Sequence, residues 1–124
     1  MLRLDRTTRK LQAVLAGAVT TNQLDIVVCG YDVPAQTKPD FSEYRGFMQV
    51  SSSNSTTDAD ICAAPVSQGV VRNLEYIGVY NKDTVSATVT IKLDDGGTEH
   101  ILRKKQLLTT ESLIWTRGAG WQVV

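Results

Sequence analysis

The sequence predicts an all-β protein, an antiparallel β-sandwich or jelly roll, and two patterns carry this expectation. The first is strict alternation between Thr84 and Asp94, where every second residue is apolar. A period of two places the apolar set on the core face of a strand and the polar set in water. The second is turn chemistry between short strand-like runs. Residues 94–97, Asp-Asp-Gly-Gly, indicate a hairpin turn, because these residue types tolerate positive φ.

Size and composition indicate one ordinary globular domain. The chain has 124 residues, 42% of them hydrophobic and 21% charged, so we expect a single domain over residues 1–124. Lys and Arg number 13, as do Asp and Glu, so the formal net charge is zero. A nucleic-acid partner is therefore not expected, since such binders carry a basic excess. No apolar run approaches the ~20 residues that span a bilayer, and the start lacks the apolar region of a signal peptide.

The N-terminal segment allows two interpretations. Residues 1–16 contain loosely helical spacing of leucines and valines, and Gly17 would end such a helix. Residues 11–19 also fit a strand, which the β-rich remainder favours. Leu2 and Leu4 alternate with charged residues, which fits a short edge strand or an extended arm. We expect an N-terminal arm of about residues 1–10 outside the β-sandwich.

The remaining strands are predicted from runs of strand-favouring residues bounded by turns. Residues 34–46 hold two prolines and form a long loop, and residues 51–57, mostly Ser and Thr, form a mobile surface loop. In residues 84–94 we expect Val85, Ala87, Val89, Ile91 and Leu93 on the core face. The predicted strands are 24–31, 47–50, 60–64, 70–80, 84–94, 98–108, 112–116 and 121–124.

Residue types that carry chemistry are sparse, and we predict neither catalysis nor a cofactor or metal site. His100 is the only histidine, and it has no nucleophile beside it in sequence. Asp58 and Asp60 share a face of an extended chain, but we interpret them as solvated acids. Cys29 and Cys62 sit in apolar runs and are expected to be buried thiols.

Basic side chains and aromatic rings are the candidate contact groups. At residues 103–105 the cations either discourage strand addition at an edge or contact an acidic partner surface. Those near the N-terminus belong to an arm that clamps a neighbouring subunit or to a disordered tail. Trp115 and Trp121 are expected to anchor the last strands in the core or at its rim. The partner-binding candidates are Arg3, Arg6, Arg9, Lys10, Arg103, Lys104 and Lys105.

Residues 71–83, 85–91, 107–113 and 120–123 form a series of strand and turn motifs in the C-terminal half. With these motifs the C-terminal half resembles a group of small structural proteins of tailed-bacteriophage virions. In that group a strand ending in an Asn-x-Asp turn precedes a strand of alternating Thr and Val, and a terminal Gly-Trp-x-Val follows. Thr110 stands where glycine is more usual in a turn between two leucines. Residues 11–24 are also similar.

The resemblance implies a structural virion protein. We expect a capsid decoration or cement protein that binds between capsid subunits, assembled in the host bacterial cytoplasm and located in the virion. Its partners would be the major capsid protein or other virion subunits, and we expect a homo-oligomer, with a trimer favoured. The alternative is a tail or fibre component with a carbohydrate-binding β-sandwich, in which exposed Tyr and Trp rings would stack on sugars.

Overall fold

The protein is an antiparallel β-sandwich, as predicted. The computed structural model describes residues 2–34 and 44–124. All secondary-structure elements in this part of the chain are β-strands. Sheet A has the order β10-β9-β6-β3-β4 with β1 also beside β6, and sheet B has the order β5-β2-β7-β8. The strands are β1 (Arg3–Leu4), β2 (Arg9–Leu15), β3 (Asp25–Val33), β4 (Arg45–Ser52), β5 (Ala59–Cys62), β6 (Val71–Tyr80), β7 (Ala87–Asp95), β8 (Thr98–Leu107), β9 (Ser112–Thr116) and β10 (Gly120–Val123).

The core lies between the two sheets and follows the alternation of the strands. In β7, Val89 and Ile91 are fully buried, as the period of two predicts. Sheet A supplies Ile77 and Val79 to the same cluster. The prediction for Val85 is wrong: β7 begins at Ala87, so Val85 lies before the strand and is exposed.

The predicted hairpin between β7 and β8 is confirmed. Asp95 pairs with Thr98, so Gly96 and Gly97 form a two-residue loop. Their φ values are +62° and +99°. This left-handed backbone is strained for residues with a Cβ and open to glycine. The turn therefore sets the register of β8 against β7.

Residues 2–10 are part of the sandwich, so the expected N-terminal arm is wrong. Arg3 and Leu4 form β1 beside β6, and Leu4 has no exposed surface. Burying a leucine stabilises a fold by about 1.5–3 kcal/mol, which is sufficient reason for this short segment to dock. The strand β2 then begins at Arg9. Of the two N-terminal alternatives, the short strand is the correct one, and residues 11–15 are strand rather than helix.

The serine-rich run is a hydrogen-bonded turn, not the predicted mobile loop. Its first two residues end β4, and Ser53 is buried. The Ser53 hydroxyl accepts from the backbone N–H of Leu24 (2.9 Å) and donates to Gln23 (2.7 Å). Asn54 and Thr57 form an isolated bridge. In the predicted loop 34–46, β4 already begins at Arg45, and residues 35–43 lie outside the described part of the chain.

Candidate interaction surfaces

The outer face of sheet B, the side turned away from the core, carries a network of paired charges, and the edge strand β8 adds the exposed Ile101 and Lys104 beside it. Lys92 is only 7% exposed, and its Nζ lies 2.7 Å from Asp58 and 2.8 Å from Glu99. Desolvation works against this charge, but the hydrogen bonds to both carboxylates outweigh it and raise the pKa of Lys92. Gln12 donates to Asp60 (2.7 Å). The charged groups of this network are therefore satisfied within the face.

The outer face of sheet A carries mostly apolar residues, and none of the described residues covers its edge at β4. Residues paired across strands share a face, and two rows cross the sheet opposite the buried core positions. Met48 and Val50, on the edge strand β4, are 70% and 71% exposed. The rows are Val50, Val27, Gly78, Ile114 and Gln122, and Met48, Cys29, Tyr76, Thr116 and Gly120. We call this surface the apolar face.

The middle of the apolar face is flattened by a tyrosine. A Cβ on Gly78 would overlap the phenol ring of Tyr76. The ring therefore lies over the glycine, two residues along the same strand. This contact explains a glycine in the interior of a strand, where its flexibility is otherwise unfavourable.

A groove opens at one side of the sandwich, between β8 of sheet B and β9 and β10 of sheet A. Leu2, Leu102, Trp115 and Trp121 line it, and its volume is about 220 Å³. The two indole rings lie 6.5 Å apart, tilted by 53°. Both tryptophans are partly buried and pack against the core, so the expectation that they anchor its rim is confirmed.

Two of the predicted partner-binding cations, Arg9 and Lys10, form ion pairs with aspartates of the same chain. Arg9 donates to Asp95 (3.1 Å) and to Asp5 (2.6 Å). Lys10 lies 3.1 Å from Asp60. The prediction that Arg9 and Lys10 bind a partner is therefore not supported by their position. Both sit on β2, in the middle of sheet B, rather than on a free arm.

The other five predicted cations form no ion pair within the described residues, but they do not gather at one place. Arg3 lies on β1 and Arg6 in the turn after it, and both are exposed. On the edge strand β8, Arg103 pairs with Ile91 and Lys105 with Val89, whereas Lys104 pairs with Thr90. Because paired residues share a face, Arg103 and Lys105 project on the core side of β8. We call residues 103–105 the basic strand segment.

A buried polar site joins two loops at one end of the sandwich. Asp83 is 1% exposed, and its carboxylate accepts from the backbone N–H groups of Thr20 (2.8 Å), Thr21 (2.7 Å) and Asn22 (3.0 Å). These hydrogen bonds, Thr20 first, outweigh desolvation and lower the pKa of Asp83 to about 2. Asn81 is also buried and accepts from the backbone N–H of Asp83 (3.0 Å).

The side chain of Asn81 extends the same site to the segment before β7 and to the end of β8. Its amide donates to the carbonyls of Val85 (3.0 Å) and Leu107 (3.1 Å). The hydroxyl of Thr109 donates to the carbonyl of Asp83. The Asn-x-Asp motif in the resemblance is thus a structural connection between three segments. An ionised carboxylate held by backbone donors is not poised for proton transfer near neutral pH.

The other residues considered for chemistry occupy structural or solvent positions. Asp58 and Asp60 are exposed, as expected of solvated acids, and each forms an ion pair on the outer face of sheet B. His100 is exposed. Cys62 is buried, and desolvation raises the pKa of its thiol to about 11, while Cys29 is only partly buried and both are free. Within the described residues, no three His, Cys, Asp or Glu side chains form a group suited to a metal ion.

The sequence analysis missed the apolar face and the buried Lys92, although signals for both exist. Val27 and Cys29 belong to a continuous apolar run in β3, which indicates apolar surfaces on both sides of a strand. Once the turn at residues 96–97 fixes the hairpin, Lys92 and Glu99 become close cross-strand neighbours. The partner Asp58 comes from a distant segment and has no local signal.

No helix in residues 2–34 and 44–124 has the length and apolarity to cross a membrane.

Comparison with known proteins identifies no relative of this chain. Searches of protein-family models, curated proteins and solved structures found no match to this chain.

Proposed function

We propose that this chain is a structural virion protein, a capsid decoration or cement protein that stabilises a tailed-phage head by binding between capsid subunits. The observation that supports this proposal most is the apolar face. An edge strand that exposes two large apolar side chains is an aggregation hazard unless another surface covers it. Covering a valine or methionine contributes about 1.5–3 kcal/mol, and many copies on one shell multiply the effect.

A contact role is also consistent with how the charges are used. The formal net charge is zero, and the outer face of sheet B neutralises its charges internally. A protein with little self-repulsion packs closely beside its own copies and its partners. The proposed partners are the major capsid protein or other virion subunits, and the proposed assembly is a homo-oligomer, with a trimer favoured.

The test uses two matched exposed residues. Met48 lies on the apolar face, and Val66, 88% exposed, lies outside the strands. We expect Met48→Lys to weaken binding to purified capsids about ten- to a hundredfold, since the lost burial is about 1.5–3 kcal/mol. The control Val66→Lys should bind like the wild type. Bound copies per capsid would be measured by sedimentation and gel densitometry.

Electron microscopy of the phage particles gives the decisive location. Density for the sandwich at regular positions between capsid subunits, with the apolar face against them, is the expected result. Absence of the chain from purified particles would overturn the proposal, as would equal binding of the Met48→Lys and Val66→Lys proteins.

The alternative function is a tail or fibre component with a carbohydrate-binding β-sandwich. The groove with Trp115 and Trp121 is the observation in its favour, since aromatic rings stack on sugars. Three other features weigh against it. The indole planes are tilted by 53°, Tyr31 stacks on Tyr44 at 5.9 Å, and Tyr76 lies flat over a glycine. Density on the tail instead of the head would favour this alternative.

A further inference from the structure

We propose that the groove and two cations of the basic strand segment, Arg103 and Lys105, together form a docking site for an extended acidic segment of a partner protein, with one apolar side chain of that segment in the groove. This inference rests on the proposed function only for the identity of the partner. It concerns a different surface from the apolar face. The chemistry of the occupant follows from the groove, the strand edge and the charges beside them.

The groove is shaped for a side chain rather than for a whole ligand. Its volume of about 220 Å³ is smaller than the ~300–1,000 Å³ typical of small-molecule pockets. Its lining consists of two leucines and two tryptophans, Leu2, Leu102, Trp115 and Trp121. A sugar needs several hydrogen-bonding side chains for its hydroxyl groups, and these four residues supply only indole N–H groups. An apolar peptide side chain needs none.

The backbone beside the groove has room for a strand. β8 is ten residues long and, among the described strands, pairs only with β7, so its other edge is open to main-chain hydrogen bonds. Extended peptides add to such edges through main-chain hydrogen bonds, and pockets for alternate side chains give specificity. Leu102 belongs both to β8 and to the groove lining. A strand added to β8 would therefore run beside the groove.

The charges select the occupant. Arg103 and Lys105 share one side of β8 and have no ion-pair partner in residues 2–34 and 44–124, whereas Arg9, Lys10 and Lys92 all have one. A second copy of β8 aligned with these cations opposite one another would bring like charges together, which disfavours that register. An acidic segment would instead neutralise them. The same cations thus favour a partner of opposite charge.

Tryptophan fluorescence tests the proposal directly. The chain has two tryptophans, and both line the groove. The probe is a short capped peptide in which Glu and Leu alternate, and the control peptide carries Lys in place of Glu. We expect the Glu–Leu peptide to shift the emission to shorter wavelength, saturably and more weakly at high salt. We expect no shift with the Lys–Leu peptide.

Two neighbouring lysines provide the matched variants. Lys105 is on the groove side of β8 and Lys104 on the opposite side, and both are exposed. We expect Lys105→Gln to weaken peptide binding at least fivefold and Lys104→Gln less than twofold. Because both changes are on the surface, both proteins should fold like the wild type.

Several outcomes would overturn the inference. One is equal binding of the Glu–Leu and Lys–Leu peptides, and another is an equal effect of Lys105→Gln and Lys104→Gln. A shift caused by a neutral oligosaccharide but not by the Glu–Leu peptide would assign the groove to sugars. Particle attachment without peptide binding would remove this inference and leave the proposed function. Peptide binding by a chain absent from particles would do the reverse.

Discussion

The two outer faces of this sandwich are built on the same alternation of residues and end in opposite states. On sheet B, Lys92 lies between two carboxylates and Asp60 accepts from Gln12, so the polar groups are satisfied within the face. On sheet A, the corresponding outward positions hold Met48 and Val50, both largely exposed. The comparison shows that alternation fixes which residues face outward, but the residue types decide whether that face is complete by itself.

The difference has an energetic meaning. Paired charges on a half-exposed surface have little more to gain from a partner, because binding would remove their water. Exposed apolar side chains, by contrast, gain favourable free energy when another surface removes them from water. The apolar face is therefore a surface that association would stabilise, and the charge network around Lys92 on sheet B is one that folding has already stabilised.

The largest expected effect on stability comes from replacing the charged Lys92 on sheet B by an apolar residue, compared with the reverse change at Met48 on sheet A. Lys92→Met keeps the aliphatic chain but leaves Asp58 and Glu99 without their shared cation. We expect a loss of about 2 kcal/mol in unfolding free energy, below the ~3–5 kcal/mol of a fully buried pair because both carboxylates are partly in water. Met48→Lys, at a position 70% exposed, should change stability by less than about 0.5 kcal/mol.

Urea unfolding followed by tryptophan fluorescence measures both variants against the wild type. Equal stability changes in the two proteins would contradict the distinction between a completed and an uncovered face. The m-values should stay constant, since neither change alters the area exposed on unfolding.

Acid should act through the hydrogen-bonded carboxylates, which lie away from the apolar face. The pKa of Asp83 is about 2 in the folded protein against an ordinary 3.8. The pKa of Asp60 is lowered by the hydrogen bond from Gln12, and that of Asp95 by the hydroxyl of Thr8. For a depressed pKa, the stabilisation is complete above the unfolded value and is lost as pH falls through the folded value. We expect unfolding free energy to fall between about pH 4 and 2.

The variant Asp83→Asn separates this contribution. It should be less stable than the wild type at neutral pH, because an amide replaces a carboxylate that accepts three backbone N–H groups. Its loss of stability between pH 4 and 2 should be smaller than that of the wild type. Urea titrations at a series of pH values measure both slopes, and parallel curves for the two proteins would contradict the assignment.

Local patterns predicted the parts of the fold that depend on local chemistry. The period of two in β7 and the glycines at residues 96–97 specify a strand and a hairpin without knowledge of the rest. The pairing of β1 with β6 joins residues about seventy apart in sequence, and no local signal announces it. The same holds for Arg9 and Asp95, whose ion pair turned a predicted partner-binding residue into an internal one.

The candidate surfaces were predictable to different degrees. The basic strand segment was recognised from sequence because three adjacent cations on a strand are visible in the sequence itself. The groove was not, since Leu2, Leu102, Trp115 and Trp121 meet only when the two sheets pack. The apolar face depends on the register of five strands, although the continuous apolar run of β3 indicated an apolar surface on each side.

The smallest expected effect lies outside both faces, in the turn between β8 and β9. Thr110 has a φ of +68° and is exposed. This left-handed backbone costs a residue with a Cβ about 1–2 kcal/mol, whereas glycine loses about 0.5–1 kcal/mol through its flexibility in the unfolded chain. Thr110→Gly should therefore raise the unfolding free energy by about 0.5–1 kcal/mol. Thermal unfolding measures this change, and Thr109→Gly, which removes a hydroxyl bonded to Asp83, should be destabilising. If Thr110→Gly lowers the unfolding free energy instead, the left-handed backbone at residue 110 does not destabilise this turn.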